Sequence, residues 1–535
     1  MHSHQLVYCT LLIALFAMVT TVMPAPFHRR WERIESGLRK LARHRTLCWA
    51  GFSLLVIGVR VALLPIWPIP KASVYDEFSY LLQADTFAHG RLTNPPHPLW
   101  QFFESAYILQ QPTYASRFPP AQAIALAVGQ VIFGHPWFGV WLSAGVLAAV
   151  LCWALQGWFP PGWALLGAFI GLDLCLFSYW MNSYWGGAVA AIGGALVTGA
   201  WIRITRKKEA HYAWIFGIGA VIVVLARPFE GSLFVLLAII ALGMANRTVH
   251  VWLPIVMIGI IGASWLAYDN YRVTGHPLRL PYRQYYQEYE TVPPFSFIPL
   301  STSPRPFQHF YLESRMLGTY QRARDWHLLV DRPIDWLVLL RIYYGNLIWL
   351  FPLAIFASSL WYSRRTRFPT VLVVVIGVAS VTEVWWYPHY AAPFAAALFV
   401  LVVQSLRYLR QWKYNGRAVG RCLVCAMPVA IAVNMLWFGL RDIATYRVQA
   451  KTPTKEEMEK TLLAERLGRH VIFVRYREGD TEHREWVYNL ADIDAAPVIW
   501  AHDLGPEENK RLMQYYAGRS FWLFEPYQPM RLQPY

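Results

Sequence analysis

Stretches of roughly twenty apolar residues recur along almost the whole of this 535-residue chain, and a helix of that length is what crosses the hydrocarbon core of a bilayer. They fall near 47–68, 137–158, 162–181, 186–204, 212–226, 230–245, 250–267, 336–360, 369–386, 391–406 and 421–440. Composition agrees, with 56% hydrophobic and 15% charged residues, where a soluble domain carries about a quarter charged. The pattern predicts a polytopic α-helical membrane protein of about eleven to twelve spans.

The net charge of +16 would suggest nucleic acid in a soluble protein, but phosphate binding needs a continuous basic face. Here the basic residues form short clusters between apolar segments, at 28–45, 203–211, Arg247, 364–367 and 407–421. They read as marks of the cytoplasmic side, so no nucleic-acid partner is expected. All clusters fall on one side only if 119–134 (PPAQAIALAVGQVIFG) is not a span. That stretch is short and interrupted by Gln122, Gly129 and Gln130, which suits a helix lying at the outer surface.

This count divides the chain into three parts. Residues 1–46 hold an N-terminal apolar segment and a basic cytoplasmic stretch. Residues 47–440 form the transmembrane domain, with outer loops at 69–136 and 268–335 and a short outer turn at 181–185. Residues 441–535 form a small extracytoplasmic α/β domain, with strands expected at 470–476, 496–501 and 519–526 and a helix at 506–518. Whether residues 1–25 are a span, a cleaved signal or an upstream extension stays open, since no basic stretch precedes the apolar run 6–23. The six cysteines lie in or beside apolar segments, so no disulfide framework is implied.

Chemistry-bearing residues gather at the expected outer ends of spans. Asp76 and Glu77 open the first outer loop, and Phe78, Tyr80, Leu81, Leu82 and Phe87 after them give an amphipathic pattern that would hold both carboxylates at the interface. In the same loop, Arg117 precedes Pro119-Pro120 at the start of a helix, where the N-terminus favours an anion and a guanidinium could grip a phosphate. Asn182 and Tyr184 occupy the short turn. Arg227 and Glu230 are close enough in sequence to pair, and His389 and Tyr390 are expected at the outer surface. No Walker motif, GxGxxG, HExxH or GxSxG points to another enzyme class.

In these residues the chain resembles the GT-C membrane glycosyltransferases, in particular the dolichyl-phosphate-mannose protein mannosyltransferases and the lipid A aminoarabinose transferases. The shared plan is one span, an outer loop opening on an acidic pair, juxtamembrane helices and many further spans. SRFPP looks like the family's basic-Pro-Pro element, and DEFSYLLQADTFAHGRLTNPPHP resembles a bacterial subgroup. The resemblance implies a glycosyltransferase acting on the outer face of the bacterial inner membrane. It would move a hexose or pentose, with inversion, from a polyprenyl-phosphate donor to a hydroxyl on a glycan, lipid or protein. Asp76 and Glu77 would be catalytic, Arg117, His389 and Tyr390 would hold the donor phosphate, and Tyr114, Asn182, Tyr184 and Arg227 would line the substrate site. A bound cofactor is not implied. A divalent metal stays open, although Asn182 stands where some relatives carry an acid. The alternatives are an O-antigen-type ligase or polymerase using Arg272, Arg279, Arg283 and His309, and a transporter or flippase using the buried charges Asp173 and Glu383.

Overall fold

The structure is a computed structural model, and it describes residues 25–246, 248–301, 310–325, 349–385, 387–449, 454–477, 485–527 and 530–535. The apolar run 6–23, Arg247, His309 and most of the expected span 336–360 lie outside the described residues. Helix α1 (Ala25–Arg43) breaks at His44 into α2 (Arg45–Leu63). Near the end of α2 the buried Arg60 donates to the carbonyls of Trp67 and Pro68 at 2.8 and 3.0 Å and stacks against the rings of Trp67 and Trp137. Its charge thus satisfies the chain leaving the helix, in keeping with the rule that a charge within a membrane segment must find partners.

The loop 69–136 carries α3 (Tyr75–Ala88), a two-stranded ribbon of β1 (Ile108–Leu109) and β2 (Ala115–Ser116), and α4 (Pro120–Phe133). Proline at the first helical position starts α4, and Gly134, at a φ of 77°, ends it in the left-handed conformation glycine tolerates best. At 14 residues the helix rises about 21 Å, short of the roughly 30 Å hydrocarbon core. Ile124, Val128, Val131 and Ile132 on its outer face are exposed.

The helical domain continues with α5 (Trp137–Trp158), α6 (Pro161–Leu176), α7 (Ala188–Lys207), α8 (Ala213–Ala226), α9 (Pro228–Ala245) and α10 (Val249–Thr274). The second loop contains α11 (Pro281–Tyr289) and α12 (Phe310–Arg324). After it come the short helices α13 (Leu350–Ile355) and α14 (Ala357–Tyr362), then α15 (Arg367–Thr382), α16 (Ala395–Leu409) and α17 (Val419–Gln449). Among the described residues, seven helices are long and apolar enough to cross a membrane: α2, α5, α7, α9, α10, the segment His389–Leu409 that includes α16, and α17. Four shorter apolar helices accompany them, at 120–133, 161–176, 210–226 and 367–382. The expected spans 162–181 and 369–386 are thus cut to 16 residues each, because turns take their last residues.

Close helix approach relies on absent side chains. A Cβ on Gly129 of α4 would stand 2.1 Å from the Gly139 nitrogen of α5, and one on Gly139 would stand 2.0 Å from the Ala125 carbonyl oxygen. The two backbones touch there, fixing the angle at which α4 leaves the bundle.

Residues 454–535 add α18 (Lys455–Glu465), β3 (His470–Val474), β4 (Val498–His502), α19 (Pro506–Tyr515), β5 (Ser520–Glu525) and β6 (Arg531–Pro534). The sheet order is β4-β3-β5-β6, with β3 parallel to both neighbours and β6 antiparallel to β5. Val471, Phe473, Ile499 and Leu512 share one apolar cluster with Phe78 and Leu82 of α3 and with Phe102 and Phe103. Asp85 of α3 accepts from the Ala491 N–H at 2.9 Å and from Gln130 of α4 at 2.8 Å. The α/β unit therefore packs directly on the loop that begins with Asp76-Glu77.

Gly139→Val is expected to push α4 off α5 and destabilise the fold by about 2–3 kcal/mol, the scale of core overpacking. Lower thermal unfolding in detergent, with Gly37→Val in exposed α1 unchanged, is the measurement.

Candidate active site

Helical spacing gives α3 its working face. Asp76, Ser79, Tyr80 and Gln83 follow each other at i, i+3, i+4 and i+7, so all four lie along one side of the helix. Ser79 donates to the Tyr107 carbonyl at 2.7 Å and lies 2.7 Å from the Ser116 hydroxyl. Gln83 donates to the Phe118 carbonyl at 3.1 Å, and the Tyr80 ring stacks on Phe118 at 4.6 Å. These contacts fasten the helix to the segment carrying Arg117, which leaves Asp76 facing the same space as that arginine.

Arg117 is buried in a box of tyrosines. Its guanidinium lies 3.6 Å from the Tyr107 ring centre, 4.6 Å from Tyr282 and 4.9 Å from Tyr285, and it pairs with Glu290 at 2.5 Å. A buried charge needs such a partner. Tyr282, Tyr285, Tyr289 and Glu290 belong to the second loop, and sequence reasoning missed them as site residues. Their signal was present: Tyr282, Tyr285 and Tyr289 recur at i, i+3 and i+7 in YRQYYQEYE, one face of α11.

Arg227 differs from Arg117. It is the residue before α9, half-buried, and its guanidinium stacks on the Tyr390 ring at 4.5 Å. Glu230 and Asp76 act on it electrostatically, yet among the described residues no carboxylate forms an ion pair with it. The expected Arg227–Glu230 pair is therefore not made. The cleft thus holds one arginine committed to a carboxylate and one cation that an arriving anion could engage.

Asp76 is partly exposed. The low-dielectric surroundings push its carboxyl up to about 6, against the pull of Arg117 and Arg227. Glu77 is buried and its carboxylate is fully occupied. It accepts from the N–H groups of Ser73 and Val74 at 2.8 and 3.3 Å, capping α3, and from the Tyr184 N–H at 3.0 Å. Burial outweighs these donors and raises it to about 7.

The remaining expected site residues are distributed differently. Tyr184 donates to the Pro70 carbonyl at 2.8 Å, and its own carbonyl accepts from Gln122, so it binds the turn to the loop. Asn182 donates within its own turn to the Ser178 carbonyl at 3.0 Å. Tyr114 is buried, with its hydroxyl donating to the Asn489 carbonyl at 2.9 Å; it holds the α/β unit. His389, expected at the outer surface, is 0% exposed. The rings of Trp185, Tyr390, Tyr387 and Tyr179 surround it, with centres at 4.7 to 6.1 Å. Aromatic packing has drawn it inward, where it stays within the electrostatic reach of Arg227, the cation that stacks on its neighbour Tyr390. Arg272, Arg279 and Arg283, required in the site by the ligase alternative, are exposed.

Both Glu77 oxygens accept backbone N–H groups. Among the described residues no group of three His, Cys, Asp or Glu side chains converges.

Beside the C-terminal end of α3 runs an apolar groove of about 500 Å³, lined by Phe87, Arg91, Val128, Ile132 and Trp265 among others. It lies between α3, α4 and α10, on the side where α4 exposes its apolar face.

A folded-state value above the ordinary carboxylate range means that the folded protein binds the Asp76 proton more readily than the unfolded chain. The resulting stability is present at low pH and lost as pH rises from the ordinary value, near 3.8, to about 6. Asp76→Asn should therefore unfold at a higher temperature than the wild type at pH 8, with the difference closing toward pH 4. Thermal unfolding in detergent across that range is the check.

No protein-family model matches the sequence, and no curated protein does. Among solved structures, ArnT from Cupriavidus metallidurans bound to undecaprenyl phosphate aligns at a TM-score of 0.52 with 13% identity, over 89% of this chain and 93% of that one. The oligosaccharyltransferase of Archaeoglobus fulgidus in complex with zinc and sulfate gives a TM-score of 0.45 with 12% identity, over 90% and 67%. Its complex with an inhibitory peptide and a dolichol-phosphate gives 0.41 with 12% identity, over 91% and 69%; at these scores neither carries weight. The alignment to ArnT runs nearly end to end in both chains, so the two share a fold.

Proposed function

We propose that this chain is a glycosyltransferase that moves a sugar from a polyprenyl-phosphate carrier to an acceptor hydroxyl. The observation that carries the reading is a carboxylate of raised basicity, Asp76, in the electrostatic reach of a stacked cation, Arg227, that has no carboxylate paired to it among the described residues. The similar fold of ArnT, solved with undecaprenyl phosphate, supports the choice of carrier. The apolar groove beside α3 and α4 offers a path for the lipid tail.

In the proposed reaction the acceptor O–H gives its proton to the Asp76 carboxylate as its oxygen attacks the anomeric carbon. The bond from that carbon to the phosphate oxygen breaks with its electron pair leaving on the phosphate, and the anomeric centre inverts. Arg227 stabilises the charge that grows on the departing phosphate. Arg117, already neutralised by Glu290, contributes field and shape, and orders the tyrosines that wall the cleft. Glu77 positions Asp76 by capping α3. The basic clusters 28–45, 203–211, 364–367 and 407–421 support a cytoplasmic location for their side of the membrane, and with it an outer location for the cleft at the other end of α2. There nucleotide sugars are absent and a lipid-linked donor is the available one.

Two substitutions test the reading. Asp76→Asn should lower transfer by on the order of 10²–10⁴ while membrane insertion stays intact. Arg227→Ala should weaken use of the donor by roughly tenfold to a hundredfold, the worth of a charge-assisted hydrogen bond. A strain lacking the gene, complemented with each variant, would be scored by mass spectrometry of its envelope lipids, glycans and proteins. Equal restoration by wild type and Asp76→Asn would rule the mechanism out.

A further inference from the structure

Helix α1 lies at the end of α2 opposite the cleft and takes no part in the proposed chemistry. From Glu32 to Arg43 only Ala42 is buried and Glu35 half-buried, and every other residue is exposed. Ile34, Leu38 and Leu41 are 53%, 49% and 44% exposed. Their spacing, i, i+4 and i+7, puts them on one face. Arg33 and Lys40 lie together along one flank of that face, and Arg43 lies opposite it.

The helix is not loose. Glu35 pairs with Arg410 at 2.7 Å, with Arg421 at 3.4 Å and with Arg39 at 2.9 Å, and Glu32 pairs with Arg421 at 3.3 Å. These contacts tie α1 to the ends of α16 and α17 and fix its rotation. They also engage both acids of the stretch, leaving Arg33, Lys40 and Arg43 without an ion pair among the described residues. The apolar face continues past the break at His44 into the lipid-facing side of α2, where Leu47, Leu54 and Leu55 are exposed.

We infer that α1 is an interfacial helix that seats Ile34, Leu38 and Leu41 in the adjoining leaflet and holds anionic lipid headgroups with Arg33, Lys40 and Arg43. Apolar area on one face and surplus positive charge away from it are the two terms that bind a helix in the plane of an anionic membrane. Continuity with α2 assigns the bilayer, rather than a second protein, as the occupant. The protein-facing pairs of Glu35 make the seat a rigid one, so the depth of Leu38 is set by the fold as well as by the lipid.

The test uses the full chain in nanodiscs of phosphatidylcholine, with and without phosphatidylglycerol. A nitroxide is attached at Leu38→Cys, with labelled wild type as the background for the native cysteines. Its accessibility to oxygen is compared with that to a water-soluble nickel chelate. The expected result is bilayer-like accessibility that deepens when phosphatidylglycerol is present. Replacing Lys40 and Arg43 by Gln should remove roughly half or more of that deepening, since each basic residue near an anionic surface contributes separately. Water-like accessibility in both lipids would overturn the inference. So would spin–spin broadening, which would put a second copy on this face, or a lipid response untouched by the Gln substitutions.

Discussion

Glu77 joins the two parts of the chain that form the cleft. Its carboxylate closes the first turn of α3 through Ser73 and Val74 and, with its other oxygen, takes the N–H of Tyr184, 107 residues away. A buried carboxylate must find donors or lose its charge, and here the donors come from backbone on both sides of a seam. The orientation of α3 against the outer turn follows, and with it the direction in which Asp76 faces. A polar group is thus used to set geometry at a place where apolar packing alone would allow sliding.

Around that seam the site is built by neutralisation and by exception to it. Arg117 is wrapped by Tyr107, Tyr282 and Tyr285 and matched to Glu290, which makes it a fixed element of the wall. Arg227 has a stacking partner in Tyr390 but, among the described residues, no matched carboxylate. Two arginines that look alike in sequence therefore differ in the property that matters for an anionic ligand. The α/β unit, clamped to α3 through Asp85, Tyr114 and a shared apolar cluster, buttresses the same helix from behind.

Much of this was legible in the sequence where the signal is local. The Pro119-Pro120 start of α4 and the shortness of that helix follow from rules about neighbouring residues, whereas the amphipathic run expected after Asp76-Glu77 is a helix buried on most sides, because the α/β unit covers it. The strands of the α/β unit overlap the β-rich stretches read from composition. What was not legible depends on distant partners. The burial of His389 needs Trp185 and Tyr179 from another segment, and the work of Tyr114 needs Asn489. The tyrosine box needs α11 to fold back from a second loop onto the first. A one-sided periodicity in YRQYYQEYE indicates a buried face, but not what it is buried against.

The sequence by itself determined the membrane class, the side that carries positive charge and the position of the acidic pair after the first long apolar helix. Those depend on hydropathy and charge, which add up along the chain without knowledge of contacts. Only the tertiary structure decided which carboxylate stays partly exposed and which is a cap, and which arginine is paired. Those are matters of hydrogen-bond saturation, and a donor's partner is fixed by where folding puts it, not by where it stands in the chain.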